Sequence, residues 1–237
     1  MKLHHWPFAA LFACVGAAAW AGPPYDTDDP EPTDTGHWEI YAFGQGDRAD
    51  GETESAAGVD LNYGALPGVQ LTATVPLDFA SNTRAAFGDL EFGVKYRFVH
   101  DEAAGFQVAA FPRAILPTAP RRFGTGRVQL RLPLWAQQEF GRWSLFGGGG
   151  VTLNPGAGNR DYWQFGLALT RDVSPRLSLG GEITHETADA IGAGGTTALG
   201  AGAIYRLGGP FSLLASGGPS FGRDDGVHAY LALGVAF

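Results

Sequence analysis

The sequence predicts an all-β chain folded as a transmembrane antiparallel β-barrel of about twelve strands. Three observations predict it. From His37 onward, successive segments alternate apolar and polar residues with a period of two, the spacing at which a strand sends neighbouring side chains to opposite faces. The connections alternate between tight and longer, the pattern of a barrel with short periplasmic turns and longer extracellular loops. The last segment, Gly226 to Phe237, places Val227, Ala229, Leu231, Leu233, Val235 and Phe237 on one wholly apolar face and ends on an aromatic.

Residues 1–21 read as an export signal that is cleaved. Lys2 precedes an apolar stretch from Trp6 to about Ala19, and Ala19-Trp20-Ala21 offers small residues at both recognition positions. The stretch is too short to span a bilayer. Leu11-Phe12-Ala13-Cys14 fits a lipidation box poorly, because Phe12 is bulky and Cys14 lies within the apolar run. Cys14 is the sole cysteine, so the mature chain is expected to hold no disulfide and no thiolate metal site. With 24 acidic against 16 basic residues the formal charge is −8, which is no footprint for nucleic acid. No later segment is apolar enough for a transmembrane helix. Mean hydropathy near zero beside 45% hydrophobic residues suits strands with one face in lipid and one in water.

Residues 22–36, GPPYDTDDPEPTDTG, form an acidic, Pro-rich segment. Pro23, Pro24, Pro30 and Pro32 forbid a regular strand or helix. The expectation is an extended segment, either periplasmic or tucked into the barrel mouth as a plug. Asp26, Asp28, Asp29 and Asp34 lack the fixed loop and closing Glu of a calcium site, so no metal is expected. The barrel follows over 37–237, with strands beginning near His37, Glu52, Val69, Gly88, Phe106, Arg127, Trp143, Asp161, Leu177, Gly195, Phe211 and Gly226. The tight set of connections is 64–68, 100–105, 141–142, 172–176 and 207–210. The longer set is 80–87, 116–126, 154–159 and 189–194. Gly147 to Gly150 has no Lys-Ser/Thr after it and so is no phosphate loop. It marks a bend or a groove filled by a neighbouring aromatic.

The faces sort by charge. On the strand from Gly88, Leu90, Phe92, Val94, Tyr96 and Phe98 oppose Asp89, Glu91, Lys95 and Arg97. A basic residue facing lipid at the midplane costs about 2–4 kcal/mol, so the charged face lines the lumen. The same sorting sets Arg131 opposite Leu130 and Leu132, and Glu182 and Glu186 opposite Leu179 and Ile183. Asp89, Glu91, Lys95, Arg97, Arg113, Arg131, Glu182, Glu186 and Arg206 are the candidate lumen-lining, solute-binding residues. Glu39, Asp60, Glu139, Arg171 and His228 join the lumen by the same reasoning, and no residue is assigned a catalytic role. Opposed Arg and carboxylate groups there either brace the wall as pairs or form a polar constriction. About twelve strands tilted near 40° enclose a backbone radius of roughly 12 Å, which side chains reduce to a narrow passage. Trp38, Trp135, Trp143, Trp163, Tyr205 and Tyr230 are the expected interfacial girdles.

Several segments carry a family resemblance. The run from Gly22 to Pro32 with Gly36-His37-Trp38-Glu39, the strand Gly88 to Phe98, Trp143 to Gly150, and Gly180 to Asp189 together resemble the outer-membrane proteins described as Putative MetA-pathway of phenol degradation. The terminal Phe237 resembles the closing residue of bacterial outer-membrane barrels, which the barrel-assembly machinery would read. The resemblance implies a bacterial outer-membrane barrel often described as a transporter. The expected activity is passive passage of small solutes, hydrophobic or aromatic, with membrane lipid and lipopolysaccharide as surroundings and no cofactor. A closed structural or adhesive barrel is the alternative. A lipid-modifying enzyme using His185 and Thr187 is a third reading, although the neighbouring strand supplies no acid to orient the histidine. Residues 116–126, with Arg121, Arg122 and nearby Arg127, would fold inward as a constriction or meet lipopolysaccharide phosphates.

Overall fold

A computed structural model describes residues 23–49, 52–80, 84–223 and 225–237. The expected leader, 1–21, lies outside them. Fourteen strands form one antiparallel sheet: β1 (Trp38–Ala49), β2 (Glu52–Leu66), β3 (Val69–Ala80), β4 (Ala86–Phe87), β5 (Leu90–Asp101), β6 (Phe106–Ala110), β7 (Arg113–Leu116), β8 (Gln129–Phe140), β9 (Trp143–Leu153), β10 (Tyr162–Ser174), β11 (Leu177–Glu186), β12 (Thr196–Gly208), β13 (Phe211–Gly222) and β14 (Gly226–Ala236). Neighbours along the chain pair in turn, except that β5 pairs with β3 past β4, and β6 and β7 both lie between β5 and β8; β1 pairs with β14 from Glu39 opposite Ala236 to Ala49 opposite Gly226. The sheet is therefore closed, which removes the unpaired edges that a bilayer forbids.

The wall has twelve staves. β6 and β7 are one stave broken at Phe111-Pro112, because Pro112 has no N–H to give the ladder. The break is bridged on both sides: Phe111 N–H donates to the Pro133 carbonyl at 3.1 Å, and Val94 N–H to the Pro112 carbonyl at 3.0 Å. The two-residue β4 rides on the end of β3, opposite Leu77 and Asp78. Observed strand starts fall within two residues of the expected ones. The tight connections and both described ends of the wall, Trp38 and Ala236, share one rim, and the longer connections share the other. At Phe140-Gly141-Arg142-Trp143 the reversal is made with Gly141 at φ 70°, a backbone state that L side chains rarely adopt.

Apolar side chains cover the outside: Phe92, Val94, Tyr96, Leu132, Leu134, Phe165, Leu167, Leu231 and Leu233 are all exposed. In water this belt would be unstable, and in a bilayer it is the solvated surface. No helix among the described residues is long and apolar enough to cross a membrane; the crossing is made by strands. Trp38, Trp143, Trp163 and Tyr205 face outward as girdle residues.

Three expected positions are corrected. Trp135 is 8% exposed and points into the lumen, on the inward parity of Arg131 and Gln137. Tyr230 also points inward, where it stacks on Phe43 with ring centroids 6.1 Å apart. Arg171 shares the outward parity of Phe165, Leu167 and Leu169, and its guanidinium lies 5.1 Å over the Trp143 ring. Near the short-turn rim, that ring and the adjacent headgroup layer remove the cost of an outward cation. The glycine run in β9 makes close contacts on both sides. A Cβ at Gly149 would stand 2.8 Å from the Phe165 ring, and one at Gly148 would stand 3.0 Å from Trp135, so aromatics do occupy the grooves.

Candidate functional site

The lumen is divided. From the short-turn rim, residues 23–36 run into the barrel, with Pro24, Thr27, Asp29, Pro30, Pro32 and Thr33 buried. Their prolines keep the chain extended and, apart from a Thr35–Gly64 bridge at the rim, out of the wall ladder, so most of its polar groups must find partners among inward side chains. At the rim, Gly36 N–H donates to the Gly64 carbonyl at 2.7 Å. Higher up, Gln70 Oε1 accepts from Thr33 N–H at 2.8 Å and from its hydroxyl at 3.1 Å.

Across the lumen, Glu182 accepts from Asp26 N–H at 3.1 Å, from Thr27 N–H at 2.9 Å and from the Thr27 hydroxyl at 2.9 Å. On the opposite wall, Lys95 Nζ lies 2.9 Å from Asp28 and 3.6 Å from Asp29, and donates to the Glu31 carbonyl at 3.2 Å. Arg113 spans two carboxylates, Asp28 at 2.6 Å and Glu91 at 2.9 Å. Both cations lie over Phe111, Arg113 at 3.9 Å and Lys95 at 5.0 Å from the ring centroid. Phe111 is 2% exposed, so the ring holds two cations in a dry setting where ion pairs strengthen.

The wall is also recessed to admit the segment. A Cβ at Gly180 would stand 2.5 Å from the Tyr25 hydroxyl, and one at Gly202 would stand 2.7 Å from the Tyr25 ring. Tyr25 meets Phe146 edge-on at 6.2 Å, and the Ser216 hydroxyl donates to the Pro24 carbonyl. Burial pushes the Tyr25 phenol up, reinforced by Glu182. Burial and the Asp29 charge push Glu31 up to about 7. Burial acts against the ionised Asp28 too, but Lys95 and Arg113 outweigh it and hold its carboxyl below the usual range.

Above the segment lies a cavity of about 930 Å³, with Asp26 and Asp28 in its floor. Arg131, Pro133 and Trp135 of β8, Gly150, Gln164 and Gly166, Glu186 and His228 line its walls. Arg131 makes no ion pair among the described residues, and Arg131 Nε, Trp135 Nε1 and His228 Nδ1 are buried without hydrogen-bond partners.

The predicted site residues therefore fall into four groups. Lys95, Arg113 and Glu182 hold residues 23–36, and Glu91 braces Arg113. Arg131 and Glu186 line the cavity, with Glu186 accepting from Gln164 Nε2 at 2.7 Å. Arg97 and Arg206 stand toward the short-turn end, Arg97 donating to Gln107 at 2.8 Å and Arg206 lying 3.6 Å from Asp172. Asp89 lies outside the lumen cluster. Its carboxylate accepts from Ala119 N–H at 2.9 Å and Thr125 N–H at 2.7 Å, tying down the loop between β7 and β8. That loop contributes no cavity-lining residue, so the expected inward constriction is not formed by it.

Other expected lumen groups are bonded locally: Glu39 to the Tyr41 hydroxyl at 3.1 Å, Asp60 to Thr74 at 2.8 Å, and Glu139 to Gln137 at 3.2 Å. An apolar seam of Tyr41, Leu214 and Ala232, with Phe43, Ile204 and Tyr230 against it, was not foreseen. His185 bonds the Thr197 hydroxyl at 2.9 Å, and Thr187 Oγ accepts from Trp163 N–H at 2.9 Å. No metal-binding cluster occurs among the described residues.

A closed twelve-stave wall, a lipid-facing apolar belt and a lumen lined with polar groups define a transmembrane β-barrel of the outer-membrane class. The chain belongs to the family described as Putative MetA-pathway of phenol degradation, whose model matches residues 21–230. No curated protein matches it in sequence. Among solved structures it is similar to an outer-membrane channel from Pseudomonas putida F1, at a TM-score of 0.73 and 16% identity over 90% of this chain and all of that one. It is also similar to the KdgM porin solved with disordered oligogalacturonate (TM-score 0.62, 9% identity, 83% of this chain and 99% of that one). The NanC porin follows at 0.57 and 11% identity, covering 84% and 98%. These likenesses are of fold.

Proposed function

We propose that the protein is a passive channel for small solutes, hydrophobic or aromatic in character, in which residues 23–36 act as a displaceable plug. The observation that carries this reading is the 930 Å³ cavity inside a closed wall, floored by a segment held only through non-covalent contacts. A pore-forming wall needs no chemistry, and the cavity has room for a small organic solute. The fold shared with channels and porins supports the same reading. Phe237, exposed after β14, would be the strand end that the assembly machinery reads. Arg121, Arg122 and Arg127 on the exposed rim loop would meet lipopolysaccharide phosphates.

Planar-bilayer conductance and liposome swelling test the proposal. The full chain should give small or intermittent currents, and a chain lacking residues 23–35 should give larger, steady ones. Absence of current from both would favour the structural or adhesive barrel, a reading to which the dense bonding of residues 23–36 already lends weight.

A further inference from the structure

The upper cavity holds donors with nothing to donate to. Trp135 is more than nine-tenths buried, and its indole N–H faces no acceptor. Such a group is costly to leave buried unless water or a ligand satisfies it. Arg131 lies four residues away on the same inward face of β8, about 13 Å along the strand. Both side chains line the same cavity. The nearby Glu186 accepts from Gln164 and feels the Arg131 charge, but no carboxylate lies within ion-pair distance of Arg131 among the described residues. Pro133, between the two donors, and Gly150, its partner on β9, line the same cavity and present no polar side chain. Gly166, further along the wall, is covered by Thr27.

We infer that Arg131 and Trp135 form a subsite for a small carboxylate carried on a flat apolar body. The guanidinium takes the carboxylate as a two-donor fork, the geometry for which Arg is suited. The apolar body lies along the Pro133-Gly150 surface. The Trp135 N–H meets a second acceptor on the solute or a water carried with it. The inference deepens the channel reading above, since it takes the lumen to be the solute's path.

Calorimetric titration of the full chain in detergent with benzoate, the isosteric neutral benzamide, and cyclohexanecarboxylate tests it. Benzoate should bind about tenfold tighter than benzamide, as expected for a charge-assisted fork over a neutral contact. Cyclohexanecarboxylate should fall between them, because it keeps the charge and loses flatness. Arg131→Gln should erase the preference for benzoate over benzamide, and Arg131→Lys should restore part of it. Trp135→Phe should weaken benzoate several-fold. Equal affinities in the native chain, or a preference that survives Arg131→Gln, overturns the subsite. Should Arg131→Gln not fold, the native-chain comparison and Arg131→Lys decide alone. Binding preference without flux in liposomes would keep the subsite and remove the channel, and flux without preference would do the reverse.

Discussion

The two halves of the lumen use similar residues to opposite effect. In the lower half, Lys95, Arg113, Glu91, Glu182 and Gln70 are all engaged, three of them chiefly by residues 23–36. In the upper half, Arg131, Trp135 and His228 present buried nitrogens with no partner. Arg113 Nε and Arg206 Nε also lack a partner below, but both of those guanidiniums reach carboxylates, whereas Arg131 reaches none among the described residues. A paired buried network rigidifies, and an unpaired cation is poised to accept something from outside. The contrast separates the part of the lumen that holds the chain's own segment from the part available to a solute.

The largest effect expected on this contrast is from Lys95→Met. The ammonium is 1% exposed and serves Asp28, Asp29 and the Glu31 carbonyl. Breaking one side of a buried ionic cluster costs about 3–5 kcal/mol. Residues 23–36 should then leave the lumen, with conductance rising toward that of the truncated chain. The matched change above, Arg131→Gln, should cost much less, since Arg131 makes no ion pair among the described residues and acts only on Glu186 at longer range. Equal losses in heat-modifiability gels would erase the distinction between the halves.

Next comes the recess. Gly202→Ala places a methyl 2.7 Å from the Tyr25 ring and 3.1 Å from the Ala215 carbonyl. Overpacking of this kind costs about 1–3 kcal/mol. In a Tyr25→Ala background most of that cost should vanish, and a double-mutant cycle would read the coupling. An undiminished cost would mean that the methyl strains the wall instead of the segment. Thr27→Val should cost less, about 1–2 kcal/mol, because Glu182 loses the hydroxyl but keeps the Thr27 and Asp26 amides. Conductance open probability is again the measurement.

The wall was legible in the sequence and the lumen's division was not. Period-two sorting placed Phe92 and Leu132 in lipid and Lys95 and Arg131 inside, since lipid and water impose opposite demands on alternate residues. Residue type misleads where it departs from parity: Trp135 and Tyr230 suit a girdle by type, yet their strands send them inward. Arg171 failed in the other direction, because a cation near a rim can lie over Trp143 without entering the lumen. The seat of residues 23–36 has no local signal. Lys95, Arg113, Glu182 and Gln70 stand on different strands, and only closure of the ring brings them to one segment. Gly180 and Gly202 look like any strand glycines until Tyr25 fills the space they leave.

The smallest effect expected is from pH, and its direction is fixed by Glu31. Docked, this carboxyl sits at about 7 against an ordinary 4.5, because burial and the Asp29 charge favour its neutral form. Released into water it would return toward the ordinary value. Between about pH 4.5 and 7 the docked state therefore holds more protons than the released one, so docking weakens as pH rises through that window and levels off above it. Asp28 acts in the opposite sense. Lys95 and Arg113 hold its docked carboxyl below the ordinary 3.8, so its contribution is intact above that value and is lost only as pH falls beneath it. The segment should accordingly be held best near pH 4–5, with open probability rising between there and pH 8. Glu31→Gln should flatten that rise while leaving the acid-side loss in place. A rise that survives Glu31→Gln would assign the titration to a wall carboxylate and leave residues 23–36 indifferent to pH above 4.5.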